Sequence, residues 1–427
     1  MKVIASTDRA FKNVLKRAAA RSQPQSAKVE NSVKTILKAV QRGGDTAVTR
    51  YTKKFDRVSL KPAQFRVGAD QVKEAYYKIR KDEGDALRYA AQRITAFHER
   101  QRTRTWMYQD DGATLGQMIQ PLDAVGLYVP GGKAVYPSTI LMTAIPAKVA
   151  GVPRVILCTP PSKDGISPYL LVAADIAGVN EIYQIGGVQA IGAMAYGTKT
   201  IARVDKIIGP GNMYVAAAKR MIYGEVDIDM IAGPSELLVL ADESANPSHV
   251  AADLLCEAEH DEEAQVFLVT PSARLARLVT SDMQARVKKL SRNKILAKSL
   301  SRHAVAFVVE SLDDAIEVAN EIAPEHLALS VDRPFEYLER IRHAGALFLG
   351  RHTPPAVADY VAGPNHVLPT GGTARFFSPL SLDDYVKKSN IISYSKEELS
   401  KVKHYVARMS QMEGLDAHGQ SMESRYS

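Results

Sequence analysis

A glutamate and a histidine in the middle of the chain have the spacing of half a metal site. Glu257 and His260 are three residues apart in 254–261, Leu-Leu-Cys-Glu-Ala-Glu-His-Asp, which reads as the end of a helix that begins near 246–248. Residues three apart share one helix face, and a carboxylate with an imidazole can supply two of four metal ligands. A solvated, acidic helix end with an incidental histidine is the alternative that this spacing leaves open.

A second acid and histidine, Glu325 and His326, are adjacent. They follow Ala323-Pro324 and precede the apolar residues 327–330, Leu-Ala-Leu-Ser. A carboxylate beside an imidazole at a strand start would place an acid and a base at the edge of a sheet. Spacing alone does not distinguish this catalytic role from a structural one.

Two further stretches contain acids and histidines in irregular surroundings. Asp359 and His366 lie in 354–366, a segment rich in proline and glycine. Ligand-binding residues often stand on such loops, although Asp359 could equally cap a turn. Glu413 and His418 lie close to the C-terminus, where composition alone favours a frayed helix end.

The cysteines predict neither a disulfide framework nor a nucleophile. Cys158 and Cys256 are the only two, which favours a reducing, cytoplasmic location. A thiolate can serve in aldehyde oxidation. Cys256, however, stands beside Glu257 and near Glu259 without an evident cation, so its pKa should be raised. We interpret Cys256 as a packing residue.

Composition indicates a globular protein of two or three domains. The chain has 427 residues, 46% of them hydrophobic and 24% charged. It contains no run of about 18 apolar residues, and the N-terminus lacks the apolar core of a secretion signal. The formal net charge is +8, but the basic residues are scattered and form no nucleic-acid-binding pattern. We therefore expect no membrane segment and no nucleic-acid partner.

Strands and helices alternate after a helical start. Residues 8–103 read as helical, and 124–222 alternate in the rhythm of βαβ units around a parallel sheet. A second alternating segment spans 237–349; residues 377–390 read as irregular and 395–421 as a polar helix. Glycines follow the strands of the first segment, where a sheet binds ligands, yet no G-x-G-x-x-G occurs there. Layout alone thus permits a dinucleotide site.

Taken together, the motifs show that the chain resembles the histidinol dehydrogenase family from end to end. Eight motifs occur in the order of that family, and none would be specific alone. They are Val125-Gly-Leu-Tyr-Val-Pro-Gly-Gly132, Ile185-Gly-Gly-Val-Gln-Ala-Ile191, Ile208-Gly-Pro-Gly-Asn212, Ala232-Gly-Pro-Ser-Glu236, Ala258-Glu-His260, Ala323-Pro-Glu-His-Leu327, Asn365-His-Val-Leu-Pro-Thr370 and Gly414-Leu-Asp-Ala-His418.

The resemblance implies NAD- and zinc-dependent oxidation of L-histidinol through L-histidinaldehyde to L-histidine, the last steps of histidine synthesis. In this family zinc acts as a Lewis acid on the substrate's amino and hydroxyl groups. The implied acid/base pair is Glu325 and His326. The implied ligands and contacts are, for zinc, Glu257, His260, Asp359 and His418; for the substrate, these four with Ser235, His326 and Glu413; and for NAD, Tyr128, Gln189 and Asn212.

The resemblance also implies an α/β fold with two Rossmann-like domains, parallel-rich sheets and small helical terminal segments. The expected divisions are 1–24 for the N-terminal segment, 25–127 with 236–379 for the first domain, 128–235 for the NAD-contacting domain, and 380–427 for the C-terminal segment. A homodimer is implied, in which the C-terminal segment brings Glu413 and His418 to the partner's active site.

Glu257 departs from the family, which usually has glutamine there. Two carboxylates and two neutral histidines would make the zinc site neutral, so a bound hydroxyl would be less acidic than with glutamine. We expect tighter metal retention and a higher pH optimum. A preference for manganese is the other possibility, since carboxylates suit harder ions.

Two competing functions are weighed against histidinol oxidation. One is a dehydrogenase of the same fold acting on another small alcohol, such as a sulfonated diol, which would not need Glu413 to bind an imidazole. The other is a basic binding protein without catalysis, which would not need an acid/base pair and four metal positions. Both are less consistent with the residues present.

Overall fold

The computed structural model describes residues 1–20, 27–131 and 135–426, so Gly132 of the first motif lies outside the described residues. The strands are β1 (Lys2–Ala5), β2 (Trp106–Asp110), β3 (Ala113–Pro121), β4 (Ala124–Tyr128), β5 (Arg154–Cys158), β6 (Glu181–Tyr183), β7 (Lys206–Ile208), β8 (Asp227–Ile228), β9 (Glu236–Ala241), β10 (Gln265–Thr270), β11 (Ala304–Val308), β12 (His326–Ser330), β13 (Ala346–Leu349) and β14 (Val386–Ser393).

The α-helices are α1 (Phe11–Ala19), α2 (Ala27–Phe55), α3 (Ala69–Lys78), α4 (Lys81–Glu99), α5 (Pro137–Ala150), α6 (Pro168–Ile176), α7 (Gly187–Tyr196), α8 (Met213–Ile222), α9 (Pro247–Ala258), α10 (Ala273–Val287), α11 (Asn293–His303), α12 (Leu312–Ile322), α13 (Pro355–Tyr360), α14 (Lys396–Glu413) and α15 (Asp416–Glu423). None of these helices is both long and apolar enough to cross a bilayer.

The chain divides into two compact units. The first comprises Met1–Gln101 and Leu122–Tyr385, and the second comprises Arg102–Pro121 and Val386–Ser427. The first unit contains both parallel sheets, which confirms the predicted α/β class. The domain bounds expected from the sequence stay a prediction.

A six-stranded parallel sheet has the order β1-β11-β10-β9-β12-β13. Its central strands are apolar runs because both faces are covered by helices. Helices α1 and α12 contribute to the core on one face, and α9, α10 and α11 to the core on the other. Strand β1, which the sequence did not predict, extends the sheet by pairing with β11.

A five-stranded parallel sheet has the order β6-β5-β4-β7-β8. Chain order reverses beside β4, since β5 and β6 lie on one side of it and β7 and β8 on the other. Such a switch point opens a ligand crevice at the carboxyl ends of the strands. Helices α4, α5 and α6 share the core of one face, and α2, α7 and α8 that of the other.

The second unit is built on an antiparallel sheet of order β14-β3-β2, with α14 and α15. The prediction of an irregular stretch to residue 390 and a purely helical C-terminal segment was therefore wrong over 386–393. This strand, Val-Lys-Lys-Ser-Asn-Ile-Ile-Ser, has no continuous apolar face to reveal it. The predicted helix over 395–421 is also divided, because Gly414 adopts a left-handed conformation with φ 68°.

Candidate active site

Glu257 and His260 are brought into contact at the end of α9. Asn246 caps the start of this helix by accepting a hydrogen bond from the Ser248 amide at 2.9 Å. At the other end, His260 Nδ1 donates to Glu257 Oε1 at 3.0 Å, and Glu257 is only 2% exposed. Ser235 lies near enough to this carboxylate to help lower the pKa of Glu257, after the larger effects of His326 and His260. The donation leaves Nε2 of His260 as its basic nitrogen, the one that can bind a metal.

Glu325 and His326 stand where α12 gives way to β12. Ala323 ends α12 with a positive φ of 49°, and Pro324 cannot continue the helix. His326 is the first residue of β12, which lies between β9 and β13, and both side chains of the pair are buried. The glutamate and the histidine thus lie at the amino-terminal edge of the sheet, which confirms the predicted position at a strand start.

The backbone of Glu236, at the start of β9, holds both members of this pair. Its amide donates to Glu325 Oε2 at 2.8 Å, and its carbonyl accepts from His326 Nδ1 at 3.0 Å. Because a carbonyl only accepts, Nδ1 of His326 carries the proton and Nε2 is the basic nitrogen. Sequence patterns assigned no role to Glu236, although an acid at the start of an apolar strand was a visible signal.

Glu257, Glu325 and His326 form one buried cluster. His326 Nδ1 lies 3.5 Å from Glu257 Oε2 and 3.7 Å from Glu325 Oε2. One ligand-capable atom from each residue lies within 4.8 Å of the others. The sequence assigned these residues separately to metal binding and to acid/base catalysis, whereas the structure brings them together.

Electrostatics move the two carboxyl groups of the cluster in opposite directions. Burial raises the pKa of Glu325 well above its usual range, and the charges of Glu257 and Glu236 raise it further. Burial opposes ionisation of Glu257 as well, but His326 and the hydrogen bond from His260 outweigh it and lower the pKa of Glu257. Two carboxyl groups separated in this way can divide their roles, one exchanging protons while the other stays ionised.

Asp359 lies on α13, close enough to this cluster to influence its charges. Its negative charge contributes to the raised pKa of Glu325, in which burial is the largest cause. For His260, burial opposes protonation, but the Glu257 hydrogen bond and charge, with that of Asp359, raise the pKa. The Asp359 carbonyl accepts from His366 Nδ1 at 2.9 Å. His366 is thereby anchored to the segment that carries Asp359.

Glu413 and His418 belong to the second unit. Glu413 is the last residue of α14 and His418 lies on α15, and both side chains are exposed. Their predicted roles in binding zinc and substrate stay predictions.

The thiol of Cys256 is not activated. Burial, followed by the charges of Glu257 and Asp359, raises the pKa of Cys256 to about 12. The predicted direction of this shift is confirmed. A thiol with such a pKa stays protonated at neutral pH and is a poor nucleophile.

Tyr128, Gln189 and Asn212, which the sequence predicted for NAD, line one cavity of about 1230 Å³ at the carboxyl ends of the five-stranded sheet. Tyr128 ends β4, and its hydroxyl accepts from the Gly187 amide at 3.0 Å. Asn212 caps α8 by accepting from the amides of Tyr214 and Val215. The cavity therefore spans the β4–β7 switch point, where open α/β sheets bind ligands.

The loop between β7 and α8 is fixed by a close backbone approach and a buried ion pair. Gly209 has φ 121°, and a Cβ there would lie 2.1 Å from the Tyr128 carbonyl oxygen. Its amide donates to Asp229 Oδ2 at 2.8 Å, and its carbonyl accepts from Lys219 Nζ at 2.8 Å. Lys219 also pairs with Asp229 Oδ1. These two residues, which the sequence did not single out, hold the segment that leads to Asn212.

Comparison with known proteins shows the family to which the chain belongs. The family model described as histidinol dehydrogenase matches residues 19–426. The chain belongs to the histidinol dehydrogenase family. It is 50% identical over 426 residues to the histidinol dehydrogenase of Syntrophotalea carbinolica, with 100% of this chain and 99% of that protein covered. It is 50% identical to that of Caldanaerobacter subterraneus subsp. tengcongensis, with 95% and 94% covered.

A solved structure shows the same fold. The crystal structure of histidinol dehydrogenase from Elizabethkingia anophelis superposes with a TM-score of 0.95 at 36% identity and covers 100% of this chain and 98% of that one. The family assignment makes this chain an oxidoreductase of histidine biosynthesis and confirms the resemblance inferred from its motifs.

Proposed function

We propose that this chain oxidises L-histidinol through L-histidinaldehyde to L-histidine, with two molecules of NAD and with zinc. The observation that carries the proposal is the buried Glu325–His326 pair, held by one backbone residue and packed against Glu257. An acid/base pair next to a carboxylate and imidazole donor set suits oxidation of an alcohol bound near a metal.

The donors in this site fit a zinc ion. Glu257 and Glu325 are both buried, and no lysine or arginine in the described ranges lies within ion-pair distance of either. Carboxylate oxygen and imidazole nitrogen are common zinc ligands. We propose Glu257, His260, Asp359 and His418 as the ligands, with manganese as the alternative ion. When bound, the metal would polarise the substrate's hydroxyl group.

The cavity likewise fits a dinucleotide. Gln189 is 1% exposed, and neither its Oε1 nor Thr159 Oγ1 has a hydrogen-bond partner within the part of the chain that the structure describes. Both residues line the cavity, so a bound ligand could satisfy these atoms. We propose Tyr128, Gln189 and Asn212 as NAD contacts; NAD, when bound, accepts the hydride.

Each member of the pair has a distinct task in this proposal. His326 is locked with its proton on Nδ1, so Nε2 accepts the hydroxyl proton as the hydride leaves. Glu325, whose pKa is raised mainly by burial, then removes a proton from the water that attacks the aldehyde carbon. The resulting hydrate loses a second hydride and gives the acid. Glu257 stays ionised and holds His260 through the hydrogen bond described above.

Glu413 would hydrogen-bond the imidazole of the substrate, and Ser235 would contact it beside Glu257. We further propose a cytoplasmic homodimer in which Glu413 and His418 serve the partner's site. The second unit carries exposed apolar side chains, including Trp106 and Met412, that a dimer could cover.

Shared sites can be tested by mixing two inactive variants. Glu325→Gln and His418→Ala each damage a different part of the site. If a site takes these residues from different subunits, a heterodimer contains one intact site, and mixing after dissociation restores about a quarter of the activity. Each variant mixed with itself is the control. No restoration in confirmed heterodimers would contradict shared sites.

The function is tested by adding L-histidinol, NAD and zinc and following NADH. Two NADH per histidinol and formation of L-histidine are expected. Glu325→Gln should slow the second oxidation and accumulate aldehyde, while Glu263→Gln, on the surface, is the matched control. One NADH per substrate, or faster oxidation of a sulfonated diol than of histidinol, would refute the proposal.

A further inference from the structure

Asp56 is an acid that the catalytic scheme does not use, yet it lines the same cavity as Tyr128, Gln189 and Asn212. It directly follows α2, and its amide donates to the Thr52 carbonyl at 2.9 Å. Gln189 Nε2 donates to Asp56 Oδ2 at 3.2 Å. The acid is therefore joined to a buried side chain of the cavity wall.

The local structure does not favour a carboxylate at this position. The C-terminus of a helix carries partial negative charge, so an anion directly after α2 is repelled. Burial raises the pKa of Asp56 to about 6. No described lysine or arginine forms an ion pair with it, and Lys54, which also lines the cavity, lies over the Phe55 ring at 5.3 Å. A carboxylate that is present in spite of this repulsion and burial indicates that Asp56 binds a ligand from outside the chain.

Asp56 retains capacity to accept hydrogen bonds. A carboxylate offers about four lone-pair sites, and the Gln189 amide occupies one of them. Gln189 Oε1 has no partner among the described residues. Together they present acceptors to a ligand with adjacent hydroxyl donors, which is the chemistry of a ribose diol.

The topology places Asp56 at the adenosine half of a dinucleotide. Gln189 lies on α7, which follows β6, whereas Asn212 lies across the switch point, after β7. In dinucleotide-binding sheets the adenosine ribose lies on the side of the second and third strands, where an acid after the second strand usually binds its 2′-hydroxyl. Here the second strand, β5, is followed directly by Thr159-Pro160-Pro161, and the first acid after it, Asp164, is exposed.

We propose that Asp56, oriented by Gln189, binds the adenosine ribose hydroxyls and excludes a 2′-phosphate, so that the enzyme uses NAD and rejects NADP. This inference rests on the proposed use of NAD. Asp56 comes from a helix outside the βαβ units and replaces the acid that β5 lacks. A 2′-phosphate would bring two negative charges against a half-buried carboxylate.

Asp56→Asn is the test, because asparagine keeps an acceptor for the Gln189 amide and removes only the charge. Relative to the unaltered chain, the ratio of kcat/KM for NAD to that for NADP should fall by about 10- to 100-fold, as expected for a hydrogen bond to a charged group. Asp70→Asn is the matched control, since Asp70 is an exposed acid of the first unit that does not line the cavity. Its ratio should stay within about twofold of the unaltered chain.

A binding measurement separates this inference from the proposed function. Calorimetry with ADP-ribose and with its 2′-phosphate should show at least about tenfold tighter binding of ADP-ribose, a difference that Asp56→Asn removes. Equal binding of both by the unaltered chain, or an unchanged preference in a folded Asp56→Asn protein, would overturn the role of Asp56. Absence of any NAD-dependent activity with histidinol would instead overturn the proposed function.

Discussion

Lys219→Met should lower the stability of the region around the five-stranded sheet more than a substitution of an exposed residue would. Lys219 and Asp229 side chains are 3% and 1% exposed, and together they bind both the amide and the carbonyl of Gly209. Removing the lysine leaves Asp229 charged in a buried site and the Gly209 carbonyl without its donor. Breaking a buried ion pair in this way typically costs about 3–5 kcal/mol.

A second substitution separates charge from packing. In Lys219→Met with Asp229→Asn, the buried charge is gone, and the asparagine carbonyl still accepts from the Gly209 amide. The Gly209 carbonyl loses its lysine donor, at a cost of about 1–3 kcal/mol that a hydrogen bond from the asparagine Nδ2 would reduce. The double variant should therefore recover about 2 kcal/mol relative to Lys219→Met.

Urea unfolding of the metal-free protein, followed by far-ultraviolet circular dichroism, measures both variants. The lone tryptophan, Trp106, lies in the second unit, whereas circular dichroism also follows the helices of the first unit. Because the loop leads to Asn212, the KM for NAD should rise more than kcat falls. A loss below about 1 kcal/mol in Lys219→Met, or a double variant no more stable than the single one, would refute this reasoning.

Three other substitutions test the buried cluster around Glu257 and the loop between β7 and α8. Glu257→Gln removes a negative charge that helps to raise the pKa of Glu325, after burial, so the acid limb of the pH–rate profile should move to lower pH; an unmoved profile contradicts this charge effect. Cys256→Ala should keep kcat within about tenfold, because its thiol is protonated at neutral pH, and a far larger loss would indicate a thiolate nucleophile. Gly209→Ala should weaken NAD binding, measured by calorimetry, and lower stability by at least about 2 kcal/mol, since its Cβ would lie 2.1 Å from the Tyr128 carbonyl oxygen; normal binding would mean that the loop relaxes.

Sequence patterns predicted most strands of the parallel sheets because strands buried on both faces read as apolar runs. They failed where that condition does not hold. β1 is a short edge strand at the N-terminus, and β14 pairs in an antiparallel sheet with mostly exposed side chains. Neither shows a run or an alternation long enough to separate it from a loop.

For the site, local pairs were predictable and distant contacts were not. Glu257 with His260, and Glu325 with His326, were found from their spacing and position. Glu236 holds Glu325 across 89 residues of sequence, and Asp56 reaches Gln189 across 133. Such contacts depend on strand order and on which helices pack together, and no local pattern specifies either.

The direction of the helices favours anions in one part of the first unit and cations in another. α7 and α8 begin at the cavity, where Gly187 and Asn212 lie, whereas α9 ends two residues before His260 and α12 ends three residues before Glu325. Helix starts attract anions and helix ends attract cations. The backbone would thus favour a pyrophosphate at one location, and a metal ion or the ammonium group of an amino alcohol at the other. Because this preference comes from the backbone, substitution of single side chains would weaken binding but would not change where either ligand binds.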